Sequence, residues 1–347
     1  MTSRGKLELH EARVPVTIAM AHEVAFRVLK RAGCTDRIAG EIVEHLIDAD
    51  LCGVESHGIF RTLQYAEEFR RGYIRPDAVP SVDASQSPTL HVDGQGGIGI
   101  TAMKRAVEVG IKAACAHGLA AIAVRNTGHT GRLGAFAETA ANAECLFIAS
   151  GGGARQNWRM VAPYGGAKAV LPTNPWCLGL PGGDHGPVVL DCATGQIAGG
   201  WIYAARRAGG LVPHGAIIDK EGRPSRDPAD YFVGGAILPK GGVLGYGLAT
   251  IGELICDAML GPAKVECNTF VLMVDTGRYR EPGPLQQAAE DILSELRDCP
   301  PAAGFEKVQV PGERESAARA ANASLKLPAK TWADLCGAAD GSGEGQV

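Results

Sequence analysis

Apolar residues recur at helical spacing through the first seventy-odd positions and then switch to short strand-like runs. Residues 16–75 are predicted to be helical. Val24, Val28 and Leu29 form one stripe that ends at Gly33, a natural helix stop. Thr35 can cap a second helix in which Ile38, Ile42 and Leu46 repeat at four-residue steps. Pro76, Pro80 and Pro88 mark a change of architecture. From there the pattern becomes βαβ-like: a strand at 89–92, a helix over 100–117 and a buried strand at 119–124. Further strands are predicted at 145–149, 187–190 and 269–274, and further helices at 246–260 and 285–298. The second of these places Leu285, Ala289, Ile292 and Leu296 on one face. The closing residues 341–347 offer nothing to bury and are expected to be disordered.

At 347 residues the chain can form two domains, or a large one with an appended part. A hydrophobic content of 46% with 21% charged residues is ordinary for a globular protein. The formal charge of −4 gives no polyelectrolyte signal, and no basic run points to nucleic acid. No apolar stretch approaches a membrane span, and the charged start of the chain lacks the apolar region of a secretory signal. Ten scattered cysteines, without a Cys-x-x-Cys pair or zinc spacing, read as reduced thiols of a cytoplasmic protein. The histidines likewise lack partners at metal spacing, so no catalytic metal is expected.

Gly94-Gln-Gly-Gly-Ile-Gly99 fits the G-x-G-x-x-G pattern of a dinucleotide-binding turn between strand and helix. The acidic residue that should close the next strand is missing, for that strand runs into Arg125-Asn126. The motif also follows a long helical region, an odd place for a first Rossmann turn. A tight strand-to-helix turn is the preferred reading.

Ser56-His-Gly-Ile-Phe-Arg61 carries the strongest chemical signal. His57 can exchange a proton near neutrality, and Arg61 offers a fork for a carboxylate or phosphate. If 57–61 opens a helix, both groups share a face. On a helix Ser56 would be poorly placed to bond its neighbour His57, which argues against a serine hydrolase. The bland alternatives are a surface histidine and an Arg61 paired with Glu55 or Glu67. His129 lies in a glycine-rich turn after a buried strand and competes for the acid–base role. Asp191 follows a strand and reads equally as an Asx turn or helix cap.

Seven segments, in order, resemble the malate/L-lactate dehydrogenase family of NAD(P)H-dependent oxidoreductases. They are Ala49–Arg61, Asn126–Gly131, Pro163–Gly166, Thr173–Pro175, Leu190–Thr194, Gly245–Leu248 and Pro311–Glu313, and the likeness spans about residues 15–330. The resemblance implies an α/β fold: a non-Rossmann nicotinamide-binding central domain over 76–282, a helical domain from both chain ends (1–75 and 283–335), a tail over 336–347 and a homodimer. It implies hydride transfer between NAD(P)H and C2 of a small 2-oxo or 2-hydroxy acid or a cyclic imino acid. His57 would be the proton donor, with Ser56 and Asp191 assisting; a carboxylate such as Asp191 would raise the imidazole pKa and fix its tautomer. Cofactor contacts would map to Arg61, His129, Thr130, Gly131, Arg132, Leu133, Thr173, Asp191, Cys192, Ala193, Gly312 and Glu313.

The chain departs from the family pattern at Leu244, where relatives carry a lysine, at 151–155, and at Thr130, where an aromatic is usual. Arg132, Arg155 or Arg159 could supply replacement charge, for instance to an NADP phosphate, so NADP is the preferred cofactor. The alternatives are the same fold acting on a different biosynthetic substrate, or a dimer that binds ligand without turnover.

Overall fold

The computed structural model describes residues 12–207 and 209–342. The residues before 12, where a secretory signal was judged absent, and residues 343–347 of the tail lie outside the described residues.

Strand β1 (Arg13–Thr17) leads into helices α1 (Ile18–Arg31) and α2 (Asp36–Leu51), then a 3₁₀ turn (Glu55–His57) and α3 (Arg61–Arg70). The sheet region follows with β2 (Ser81–Gln86), β3 (Thr89–Gly97), α4 (Gly99–His117), β4 (Leu119–Thr127), α5 (Leu133–Asn142), β5 (Cys145–Gly152), β6 (Trp176–Leu180) and β7 (Val188–Cys192). A small lobe holds α6 (Gly199–Arg207), β8 (Ile217–Ile218), β9 (Pro224–Ser225), α7 (Pro228–Phe232) and β10 (Ala236–Ile237). The chain returns through α8 (Val243–Glu253), a π-helical turn (Leu254–Met259) and β11 (Cys267–Asp275). It ends in α9 (Pro282–Asp298), α10 (Glu313–Ala321), β12 (Ser324–Pro328) and α11 (Ala329–Asp340).

The opening helices form for the reasons the pattern suggests. The hydroxyls of Thr17 and Thr35 accept hydrogen bonds from Met20 N (3.2 Å) and Ile38 N (3.4 Å) and so cap α1 and α2. Ala21, Ala25 and Leu29 of α1 pack on Ile38, Ile42 and Leu46 of α2, while Val28 packs on Ala66 and Ala339. Strand β1 pairs antiparallel with β12, which draws the two chain ends into this helical cluster.

The seven-stranded sheet has the order β2-β3-β4-β11-β5-β6-β7, and only β3 and β4 run parallel. The result is a mixed α/β sheet without the repeated parallel crossovers of a Rossmann fold. Helices α4 and α5 cover one face, burying Met103, Val107, Phe136 and Ala137 against Ile122, Val124, Phe147 and Val271.

The elements of 283–335 pack in two places. Helix α9 sits against the Gly183–Asp184 turn, where Asp184 N donates to Glu290 Oε2 at 2.8 Å, and only the later elements rejoin the opening helices. Its stripe also faces outward, because Leu293 is the buried position while Ile292 and Leu296 are exposed. The tail expected from 336 is helical to Asp340, with Leu335 and Ala339 buried.

Candidate active site

The glycine-rich turn between β3 and α4 is filled by protein. Gly128 N donates to Gly97 O (2.8 Å) and Gly99 N to His129 O (3.0 Å). A Cβ on Gly99 would press into the carbonyls of Gly128 and His129. The glycines therefore let the β3–α4 turn touch the loop that carries His129, and the first α4 amide is already occupied.

The ends of β3, β4, β5 and β7 and the starts of β6 and β11 all meet at this end of the sheet. The site residues converge there. His57 closes the 3₁₀ turn, and its ring stacks on that of His129 with centroids 5.4 Å apart. Ser56 Oγ lies 3.0 Å from His57 Nδ1. The expectation that these neighbours could not meet assumed an α-helix; helix α3 starts only at Arg61, and the tighter turn brings the hydroxyl onto the ring. His57 and Arg61 thus do not share a helix. Arg61 reaches back, donating from Nε to Ser56 O (2.9 Å) and from Nη1 to Gln64 Oε1 (2.8 Å). It pairs with neither Glu55, which holds Arg13, nor Glu67, which holds Arg70 and Arg71. Its Nη2 has no hydrogen-bond partner among the described residues.

His129 is tied down more firmly. Gly131 N donates to its Nδ1 (3.1 Å), so that nitrogen carries no proton, and the hydroxyl of Tyr65 must donate to the same atom (2.7 Å). In the neutral ring the proton sits on Nε2. Burial, then Arg61 and His57, hold the His129 pKa well below its ordinary value. Burial, then Arg61, His45 and Arg132, hold His57 down to about 3. Both rings are neutral in the free protein at neutral pH.

The loop that bears His57 is fixed by Asp50. Its Oδ2 accepts from Ile59 N at 2.7 Å, and its carboxyl lies so close to Gly58 that any Cβ there would overlap it. Burial pushes the Asp50 carboxyl up to about 7.

Asp191 lies within β7, solvent-accessible, and accepts from Gly134 N at 2.7 Å in the first turn of α5. Its bonded partner is this amide and not His57, whose pKa is lowered rather than raised. Its Oδ1 has no partner among the described residues. Cys192 and Ala193 follow it half-buried, and Thr194 bonds Thr173 O through N (3.0 Å) and Oγ1 (2.8 Å). Thr130, Gly131, Arg132 and Leu133 form the buried link into α5. Gly131, at φ 71°, lies against His45, whose Nε2 accepts from Arg132 N at 2.9 Å.

Arg132 is not available to a cofactor phosphate. Its guanidinium is buried and bonds Asp48 Oδ2 (2.8 Å) and Glu138 Oε1 (2.9 Å), and Arg319 bridges the same two carboxylates. Gly312, at φ 95°, packs on Val189, whose N–H donates to Pro311 O at 3.1 Å. Glu313 is held by Arg297 at 2.6 Å.

Sequence reasoning missed Tyr65, Glu68, Asp50, Glu253 and Glu266. Tyr65 and Glu68 follow Arg61 by four and seven positions, a one-face spacing that could have revealed them. Glu253, buried, accepts from Gly153 N (3.1 Å) and Asn174 Nδ2 (2.7 Å), and so pins the glycine-rich end of β5.

Comparison with known proteins agrees with this architecture. Residues 16–336 match the family described as malate/L-lactate dehydrogenase. The chain is 30% identical over 335 residues to the L-lactate dehydrogenase of Cupriavidus necator, covering 92% of this chain and 95% of that one. It is 31% identical over 234 residues to a Delta(1)-pyrroline-2-carboxylate/Delta(1)-piperideine-2-carboxylate reductase of Pseudomonas putida, covering 67% of each. The crystal structure of malate dehydrogenase from Entamoeba histolytica superposes with a TM-score of 0.89 at 24% identity, covering 95% of this chain and 98% of that chain.

Proposed function

The chain belongs to the malate/L-lactate dehydrogenase family, and on that premise we propose that it is an NAD(P)-dependent oxidoreductase acting at C2 of a small 2-oxo or 2-hydroxy acid or a cyclic imino acid. The observation that carries the reading is the stacked His57–His129 pair beside the open edge of Arg61.

The residues suit a nicotinamide cofactor by their chemistry. Asp191 presents an accessible carboxylate with one uncommitted oxygen, which suits a hydroxyl donor. Thr173, Cys192, Ala193 and the His129–Leu133 link border the same end of the sheet and would complete the cofactor's bed, while Gly312 packs on the start of β7. When bound, the nicotinamide supplies or takes up the hydride. NADP is the proposed preference, now resting on Arg155 and Arg159, both exposed, and no longer on Arg132.

The chain's own part is to hold the acid and move a proton. Arg61 Nη2 would bind the substrate carboxylate. His57 has Nδ1 against Ser56, which leaves Nε2 facing the reacting oxygen or nitrogen. A neutral ring is ready to accept the hydroxyl proton of a 2-hydroxy acid. In the reductive direction the ring must first be protonated. Docking a carboxylate on Arg61 offsets the charge that, after burial, most depresses His57, and so favours the imidazolium when substrate is present. His129, committed at Nδ1 to two donors, acts as a fixed wall for the His57 ring.

A homodimer in the cytoplasm is the proposed state of the protein. The support is an uncovered apolar sheet face with Leu178, Leu180 and Leu190 exposed, and ten free cysteines. Among the described residues no helix is long and apolar enough to cross a membrane. The test is a panel of 2-oxo, 2-hydroxy and cyclic imino acids followed by reduced-nicotinamide absorbance with both cofactors; no turnover of any of them contradicts the reading.

A further inference from the structure

We propose that Glu266, with Glu68, forms the recognition end of this site and selects 2-oxo acids whose far end carries a cationic nitrogen; this rests on the dehydrogenase reading above. Helix α3 places Arg61, Tyr65 and Glu68 on one face, and the start of β11 brings Glu266 to the same place. The backbone N–H of His129 and the Arg61 guanidinium both favour a charged Glu266 carboxyl, and Arg61 acts on Glu68 as well.

Each of the two acids keeps one buried oxygen, Oε2, with no hydrogen-bond partner among the described residues. Two neighbouring polar groups are matched: Gln64 donates to Glu68 Oε1 (2.8 Å), and Tyr65 donates to His129 (2.7 Å). A buried acceptor left unpaired is destabilising, so two of them on acids that act on each other call for a donor that arrives with the ligand. Burial and the nearby Glu68 push Glu266 up to about 7, and a bound cation would restore its charge. The rim agrees. Tyr73, exposed, donates to Val265 O (3.4 Å) next to Glu266, and an aromatic face favours a cation. A second carboxylate would instead meet two acids. The arrangement therefore recognises a substrate that is anionic at C1, where Arg61 waits, and cationic at its other end.

The test compares 5-guanidino-2-oxopentanoate, the uncharged 2-oxohexanoate and the dicarboxylic 2-oxoglutarate with the intact enzyme and reduced cofactor. The guanidino acid should exceed the uncharged acid in kcat/KM by at least about tenfold, the equivalent of one charge-assisted hydrogen bond, with the dicarboxylic acid slowest. Glu266→Gln should shrink the first ratio to within about threefold, chiefly through KM, and improve relative use of 2-oxoglutarate. Calorimetric titration of the same three acids reads the preference without turnover. Tighter binding of the guanidino acid supports the inference even if no acid is reduced, an outcome that would sink only the dehydrogenase reading. Equal binding, or a dicarboxylic preference, overturns it.

Discussion

His57 and His129 stack with centroids 5.4 Å apart and planes inclined by 25°, and both are neutral. The two rings divide the work. His129 has its Nδ1 committed to Tyr65 and Gly131, while among the described residues the His57 ring is bonded only at the nitrogen facing Ser56. Tyr65→Phe removes one of the two donors to His129. Urea unfolding should show a loss of about 1 kcal/mol, the usual net worth of a buried hydrogen bond. An unchanged midpoint would mean that Tyr65 does not hold His129.

Gly58→Ala sets a methyl group against the Asp50 carboxyl that holds Ile59 N. The loop must shift, and with it His57. A displacement of about 1 Å at a reacting group can cost about a hundredfold, so kcat should fall by at least tenfold while far-ultraviolet circular dichroism stays unchanged. Wild-type kcat in this variant would show that the loop position is not critical.

The buried acids and histidines give opposite pH dependences. Burial raises Asp50 from an ordinary 3.8 to about 7, so between these values the folded chain binds more protons than the unfolded one. Its contribution to stability is present at low pH and lost as pH rises through about 7. The depressed histidines do the reverse: burial holds His45 and His57 near 3, so their contribution is present above about 6.5 and lost on acidification. Asp50→Asn should therefore gain stability relative to wild type as pH rises from 5 to 8. Urea midpoints at four pH values check this, and a constant difference would refute it.

Arg132 joins α5 to Asp48 on α2, and Arg319 on α10 completes the cluster. Arg132→Ala leaves carboxylates without their buried partner and should destabilise by about 3–5 kcal/mol. The ratio of NADPH to NADH affinity, read by fluorescence titration, should not move. A lost NADPH preference would return Arg132 to the cofactor site.

Much of the scaffold is legible in the chain because its strands are continuous apolar runs: β4, β5 and β11 each begin at or within two residues of the run that predicts them. The lobe carrying β8, β9 and β10 is not, since two-residue strands leave no period to read. The Ser56–Arg61 motif announces its chemistry but not its geometry. Whether Ser56 meets His57 depends on a 3₁₀ turn that Asp50 fixes from the preceding helix. Asp191 reads from sequence as a local cap; it caps α5, a helix fifty-odd positions earlier, which no local pattern encodes. Glu266 gives no signal at all, because its meaning comes from β11 lying beside β4.

The central claim, that His57 moves the proton while His129 serves as its support, is tested most directly by single-turnover reduction with His57→Gln and His129→Gln. Loss of the acid–base group should slow the chemical step of His57→Gln by about 10²–10⁴-fold with cofactor affinity retained, and slow His129→Gln far less. Near-normal chemistry in His57→Gln alongside an inactive His129→Gln would contradict the account.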